Sequence, residues 1–332
     1  MRKTIILFVV SICFSNLSFA QQDAMFTKYM FNSLVYNPAY AGAKDHMALG
    51  VLHRTQWWDI EGGPNTQSFT IHTPLPKDRI GLGFWAVNDV IGPTHTISAN
   101  LAYAYRIPMG NGKLSVGVQG GITNWAADWT KLDLFSPDDP AFSDANPNFL
   151  LPNFGVGVYY YSDKFYVGAA SPRLIEYDLQ DEPINTQRWA KQYRHYFFST
   201  GVAIPLRGEQ IVLKPSLLIK NVGMFSKFNK DENFEQLGAP TEFDIDVSVL
   251  FYKALWIGAS FRSSLEVFID DSSSFDSADI WASYYLTNGL RIGAAYDYTL
   301  TKLQTVAGGS FEIMLGYEFN YTTKRTVTPR YF

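Results

Sequence analysis

The feature that most constrains this chain is a period of two. From Thr96 to Ile107 the odd positions read Ile97, Ala99, Leu101, Tyr103, Tyr105 and Ile107, and the even ones Thr96, Ser98, Asn100, Ala102, Ala104 and Arg106. Phe243, Ile245, Val247, Val249 and Phe251 alternate with Asp244, Asp246, Ser248 and Leu250. Leu290, Ile292, Ala294, Tyr296 and Tyr298 alternate with Arg291, Gly293, Ala295 and Asp297. Successive side chains of an extended chain point to opposite faces, so each stretch predicts a strand with one greasy face and one polar or small face. Fourteen such segments are expected, near 46–54, 67–74, 79–88, 95–107, 113–124, 153–162, 165–171, 194–205, 210–220, 243–252, 254–263, 278–286, 288–299 and 308–319. Short turns at 75–78, 108–112, 162–164, 206–209 and 287–289 fall between long connections at 55–66, 125–152, 172–193 and 221–242.

An even number of strands of about 9 to 11 residues, with short turns on one rim and long loops on the other, describes a membrane-spanning antiparallel outer-membrane β-barrel. A soluble β-sandwich is the competing architecture. Two features favour the barrel. Arg106, Lys214, Asp244, Asp246, Arg262, Arg291, Asp297 and Glu312 lie on the polar register, where a lumen would hydrate them. Trp57, Trp58, Trp125, Trp129, Tyr159, Tyr160, Tyr161 and Tyr296 gather near strand ends, as interfacial aromatic girdles do. Composition agrees: aromatic residues make up 16% of the chain, yet mean hydropathy is only −0.07. Past the first twenty residues, no stretch reaches the roughly 18 apolar residues of a spanning helix.

Those first twenty read as a secretory signal peptide: Arg2 and Lys3, an apolar run from Ile5 to Phe14, then Ser18-Phe19-Ala20 before cleavage. Ile12 stands where a lipoprotein signal would need a small residue before Cys13. Cys13 is the chain's one cysteine, so the mature protein has no disulfide, thiolate metal site or cysteine nucleophile. Without Arg2 and Lys3 the 27 bases become 25 against 31 acids, a net charge of −6 with no basic tract, and nucleic acid is not an expected partner.

Residues 25 to 42 read M-F-T-K-Y-M-F-N-S-L-V-Y-N-P-A-Y-A-G. Phe26, Tyr29, Met30, Ser33 and Leu34 share a helical face, and Asn37-Pro38 has the cap-then-proline order that opens a further short turn. A fourteen-stranded barrel falls between eight strands, filled by their own side chains, and the 16 to 18 that leave a channel. Something must stop such a lumen, or it conducts. Residues 21–45 are therefore expected to form a periplasmic segment, helical or irregular, at or in the mouth of the barrel. Phe26, Tyr29, Met30, Tyr36, Asn37, Pro38, Tyr40 and Gly42 are its candidate plug or partner-binding residues. Padding of the barrel rim is the alternative reading. The barrel then runs over 46–319, with a periplasmic tail over 320–332.

No catalytic residue, cofactor or metal site is expected. Gly110-Asn111-Gly112-Lys113-Leu114 lacks the first glycine and the hydroxyl of a phosphate loop, and Asp244-Ile245-Asp246 lacks the glycine and distal glutamate of a calcium loop. Histidines 46, 53, 72, 95 and 195 show no metal spacing, and Ser260 lacks the second glycine of a nucleophile elbow. Whether the acidic stretch Asp128, Asp133, Asp138, Asp139 and Asp144 holds calcium is left open by the residues. Phe311, Ile313, Leu315, Tyr317 and Phe319 end the last strand in the manner of a barrel assembly signal.

Gln21-Gln22-Asp23, Phe26, Tyr29-Met30-Phe31-Asn32 and Tyr36-Asn37-Pro38-Ala39-Tyr40-Ala41-Gly42 together resemble the N-terminal signature of the PorP/SprF family. Arg54, Gln56 and Trp57 with Gly62-Gly63-Pro64 resemble that family's first long loop, and Gly81-Leu82-Gly83, Asn88-Asp89 and Ile91-Gly92 its third strand and following loop. Gly293 to Tyr298, Gly309 to Tyr317 and Pro329-Arg330-Tyr331-Phe332 are similar to its last hairpin and terminus. The resemblance implies an outer-membrane component of type IX secretion and gliding. Its implied partners are outer-membrane lipid, periplasmic secretion components and a secreted substrate such as a large adhesin, exported or held at the surface. A passive porin-like channel for small solutes is the alternative function.

Overall fold

The computed structural model describes residues 26–131, 146–179, 191–223, 241–265 and 275–319. The signal peptide, the tail over 320–332 and Asp133, Asp138, Asp139 and Asp144 lie outside the described residues.

Fourteen strands form the wall: β1 (Met47–Gln56), β2 (Asn65–Pro74), β3 (Ile80–Ile91), β4 (Thr94–Met109), β5 (Gly112–Ala127), β6 (Asn148–Ser162), β7 (Phe165–Ser171), β8 (His195–Val202), β9 (Ile211–Val222), β10 (Glu242–Phe251), β11 (Leu255–Ser264), β12 (Ser277–Tyr285), β13 (Leu290–Thr299) and β14 (Ser310–Phe319). Each pairs antiparallel with the next, and Ile204–Pro205 continues β8 along β9. β14 returns to β1, from Met47 opposite Phe319 to Gln56 opposite Ser310, and closes the sheet. Closure pairs every strand on both sides, the condition for strands to cross lipid.

The period of two resolves into outside and inside. On β4, Ile97, Leu101, Tyr103, Tyr105 and Ile107 face outward, with Leu101 68% exposed, while Ser98, Asn100, Ala102, Ala104 and Arg106 are buried in the interior. On β10, Ile245 and Val247 face outward and Asp244, Asp246, Ser248 and Leu250 inward. The outward apolar faces meet hydrocarbon, which makes this an outer-membrane barrel. No described helix is long and apolar enough to cross a membrane. Turns after β2, β4, β6, β8, β10 and β12 make the periplasmic rim, with both ends of the barrel sequence, and the connections after the odd-numbered strands, from the two-residue turn after β3 to the long ones after β5, β7 and β9, make the extracellular rim.

Three details differ from the sequence expectation. β4, β5 and β6 span 16, 16 and 15 residues, beyond a bilayer's need, and β5 and β6 take both ends of the loop expected over 125–152. The ladder continues there to Ala126 opposite Asn148 because Thr123, Trp125 and Ala127 keep an inward face. Asp89 to Ile91, beyond the strand expected over 79–88, complete β3, since Gly92 adopts a left-handed φ of 54° and with Pro93 makes a tight turn. Finally, Tyr159, Tyr161 and Trp125 are not girdle residues: all three point inward and are buried.

Pro172 takes the chain inward after β7. Gln119 Nε2 donates to its carbonyl at 3.0 Å, and Leu179 packs with Trp125 and Leu151. The upper lumen is narrowed from the side.

Candidate functional site in the barrel lumen

Residues 26–46 lie inside the wall. Lys44 and Asp45 stand at the periplasmic rim, where Lys44 Nζ meets Glu318 at 2.5 Å and Asp45 takes Arg106 Nη1 at 2.7 Å and Lys113 Nζ at 2.9 Å. Burial disfavours the Lys44 ammonium, but the adjacent Glu318 carboxylate outweighs it and holds the Lys44 pKa above the ordinary lysine value. From there the segment climbs. Gly42 N donates to His72 Nδ1 at 3.1 Å, Ser115 Oγ donates to Ala39 O at 2.6 Å, and Asn37 Nδ2 donates to Val158 O at 3.1 Å. Asn32 Nδ2 reaches Ser68 at 2.8 Å, and Phe26 O accepts from Arg262 Nη2 at 3.1 Å near the extracellular end of β11.

The expected single helical face does not form. The segment folds as a 3₁₀ turn (Tyr29–Phe31), one turn of helix α1 (Ser33–Tyr36) and a second 3₁₀ turn (Pro38–Tyr40). Neither of the first two has a side-chain cap, whereas Asn37 accepts from Ala39 N at 2.9 Å ahead of Pro38. So broken a backbone leaves amides that the wall must satisfy. Glu312 does so, accepting from Thr27 N at 2.7 Å and Lys28 N at 3.0 Å.

Close approach is possible because the wall there is glycine. A Cβ at Gly81 would stand 2.0 Å from Ala41 O, at Gly117 2.3 Å from Ala39 N, and at Gly157 2.1 Å from Asn37 Oδ1. On this floor Phe26, Tyr29, Leu34, Asn37, Pro38, Tyr40 and Gly42 are buried, and Met30 and Tyr36 are half-buried. Phe31 packs edge-on to Trp281 at 5.4 Å, Tyr36 meets Phe197 at 4.9 Å and Tyr40 meets Tyr159 at 5.5 Å. Burying Phe26 and Leu34 contributes about 1.5–3 kcal/mol each.

The inward charges are not hydrated by an open lumen; Arg106, Lys214, Asp244, Asp246, Arg262, Asp297 and Glu312 are buried. They pair with one another or with the segment. Arg54 Nη2 binds Asp297 at 3.0 Å and faces Glu312 at 3.7 Å, and Arg262 binds Asp244 at 3.0 Å. Arg291 lies over Phe31, 4.1 Å from the ring centre, and Lys214 lies over Trp256 at 5.5 Å. Lys28 is the residue that sequence reasoning missed. Wholly buried, it makes an ion pair with Asp279, stands 3.5 Å from Asp246 and donates to Ser260, while Trp281 Nε1 donates to Asp246 at 2.7 Å. Its signal was a lysine in an aromatic stretch, matched by acids on the inward registers of β10 and β12.

A cavity of about 290 Å³ remains on the extracellular side of the segment, walled by Phe26, Tyr36, Trp85 and Trp125, with Asp89 and Arg173 among its polar groups. Among the described residues, no group of three or more His, Cys, Asp and Glu could hold a metal ion.

The family model for the type IX secretion system membrane protein PorP/SprF matches residues 18–317. The chain belongs to the PorP/SprF family. Family membership makes it a membrane component of type IX secretion, and with the barrel it places the protein in the outer membrane. This is a family of secretion components rather than enzymes. No curated protein matches the chain. Among solved structures the barrel is similar to the CymD monoaromatic hydrocarbon channel, at 10% identity and a TM-score of 0.52 over 92% of this chain and 95% of that one. It also matches the Acinetobacter baumannii outer membrane protein Omp33, at 9% identity and a TM-score of 0.44 over 84% and 100% of the two chains. Identities this low speak for the fold alone.

Proposed function

We propose that this PorP/SprF barrel is a closed, non-enzymatic scaffold. It partners a secreted type IX substrate such as a large adhesin for export or surface attachment, alongside periplasmic components of the system. Residues 21–45 act as the stopper. One observation carries the reading: the bases and acids that a porin would leave to water are buried, paired with one another or engaged in holding residues 26–46 against the inner wall. The same observation weighs against a passive channel for small solutes. The long extracellular connections, free of the demands of the wall, are where a partner would be chosen.

The test is a deletion of residues 21–42 in the native cell. Heat-modifiable migration on a gel reports barrel assembly, and affinity purification from the membrane reports what co-elutes. The expected result is an assembled barrel that has lost the secreted partner. A deletion variant that still recovers the same partner and displays it at the surface returns the segment to padding.

A further inference from the structure

A row of polar side chains crosses the outside of the wall, where hydrocarbon should lie. His53 on β1, Gln67 on β2 and Asn88 on β3 stand directly opposite one another across the strands, and His95 on β4 is diagonal to Asn88. They point outward, in the register opposite to the buried Arg54, Ser68 and Asp89. The four bond in series. His95 Nε2 donates to Asn88 Oδ1 at 2.6 Å, Asn88 Nδ2 to Gln67 Oε1 at 2.5 Å, Gln67 Nε2 to His53 Nδ1 at 3.4 Å, and His53 Nε2 to Thr55 Oγ1 at 3.2 Å. In that series each imidazole carries its proton on Nε2.

The row lies within the membrane band rather than above it. Trp58, 56% exposed and packed on Phe311, marks the extracellular interface, and Phe311 is paired with Thr55. His53 is two residues nearer the periplasm on β1, beside the exposed Ile313. On the other flank the exposed Val90 and Ile97 lie next to Asn88. Beneath the row the outward residues of β2 are Phe69, Ile71 and Thr73. From Thr73 to Gln67 a strand at barrel tilt climbs only ~15 Å, against an apolar band of ~25 Å. A polar group at lipid depth is costly unless something covers it. Close cover is possible, because Ala86 and Ala99, the next outward residues toward the periplasm on β3 and β4, are small.

We propose that this outer face of β1 to β4, at the level of His53, Gln67 and Asn88, binds a second copy of the chain side by side in the outer membrane. Two observations select that occupant. The outward positions of β1 to β4 hold no Asp, Glu, Lys or Arg, so neither a charged protein surface nor an anionic headgroup finds a counter-charge there. The row also has a donor end, the Thr55 hydroxyl, and an acceptor end, His95 Nδ1, which a two-fold axis brings opposite each other in both halves of the contact. An axis along the membrane normal keeps every residue at its own depth, so the polar row of one copy meets the polar row of the other. The pairing does not depend on what fills the lumen.

The mature chain has no cysteine, so single substitutions in the full-length protein, kept in native membranes, report contact between copies. Ala86→Cys and Ala99→Cys probe this face, and Ile257→Cys, outward on β11, probes the far side of the barrel. An oxidant, or a short bis-maleimide where the geometry is too wide for a disulfide, links cysteines that face each other across the axis. The expected result is a band at twice the chain's mass from position 86 or 99 and none from 257. The band should weaken when Gln67→Leu is added and disappear with His53→Leu and Asn88→Leu as well, in protein that still shows heat-modifiable migration. No band of that mass from 86 or 99, an equal band from 257, or a band that survives the leucine substitutions overturns the proposal. So does an adduct of another mass, which assigns the face to a different protein.

Discussion

Replacing Lys28 with methionine keeps most of its length and removes its charge, leaving Asp246 and Asp279 in the wall without their shared cation. The side chains of Lys28, Asp246 and Asp279 are 0%, 0% and 1% exposed, so solvent screening gives little relief. Removing one partner of a buried ion pair costs about 3–5 kcal/mol, because the remaining charge stays desolvated. That cost falls on the docked state, since an undocked segment exposes both carboxylates to water in the lumen. At about 1.4 kcal/mol per tenfold, docking of residues 26–42 weakens by roughly a hundredfold to four-thousandfold. Amide hydrogen exchange of peptides from this segment, followed by mass spectrometry on the barrel in detergent, reads the change as faster exchange, because exchange reports local opening. The strand peptides should not accelerate, which separates undocking from barrel failure. The triple variant K28M/D246N/D279N removes the stranded charges and should recover most of the protection, as replacement of whole buried ion pairs often does. Acceleration below about tenfold in K28M, or no recovery in the triple variant, would refute the ionic account of docking.

Three further outcomes follow from the same geometry. Gly81→Ala sets a methyl 2.0 Å from the Ala41 carbonyl oxygen; overpacking costs about 1–3 kcal/mol, so exchange of residues 39–43 should rise about fivefold to a hundredfold while the barrel still assembles. Leu101→Arg places a charge on the lipid face, where the cost is about 2–4 kcal/mol near the midplane. It should lower the urea midpoint of the barrel and the yield of heat-modifiable protein, whereas Asn100→Ser, on the lumen face of the same strand, should do neither. The Lys44 ammonium has a raised pKa, so its contribution is complete below the unfolded value of about 10.4 and is lost only as pH rises through the folded one. Protection of residues 42–46, corrected for intrinsic exchange, should stay level from about pH 7 to about pH 9; a fall within that window contradicts the Lys44–Glu318 latch.

The wall was legible because lipid and lumen impose opposite preferences on alternate residues. Leu101 and Asn100 could each be assigned a side from their neighbours alone. Strand ends were less so. In Trp125 and Asn148 the alternation continues past the membrane, where no change of solvent marks a boundary. Aromatic residues misled for a physical reason: Tyr159 meets Tyr40 of the lumen segment edge-on and Tyr161 stacks on Tyr159, and an inward tyrosine beside a packed segment reads like an interfacial one. The segment itself was visible as an aromatic stretch, but its shape was not. A helical period in Phe26, Tyr29, Met30, Ser33 and Leu34 describes which residues are apolar, while the path is set by distant groups: Glu312 on the amides of Thr27 and Lys28, and Gly81, Gly117 and Gly157 beneath the backbone. Those contacts join residues far apart in sequence, which no local pattern contains. Lys28 was the local clue with most to offer, because a lone base among aromatics needs a buried acid to stand in such a place.

The claim that the lumen is closed by the chain's own amino-terminal segment is tested most directly by electrical recording. The purified intact barrel and a variant lacking residues 21–42, both shown to be heat-modifiable, are placed in planar bilayers. The account predicts a silent intact protein and a steady conductance from the variant, since removing the segment exposes the buried charges of a fourteen-stranded lumen to water. A large, steady conductance from the intact protein would contradict it.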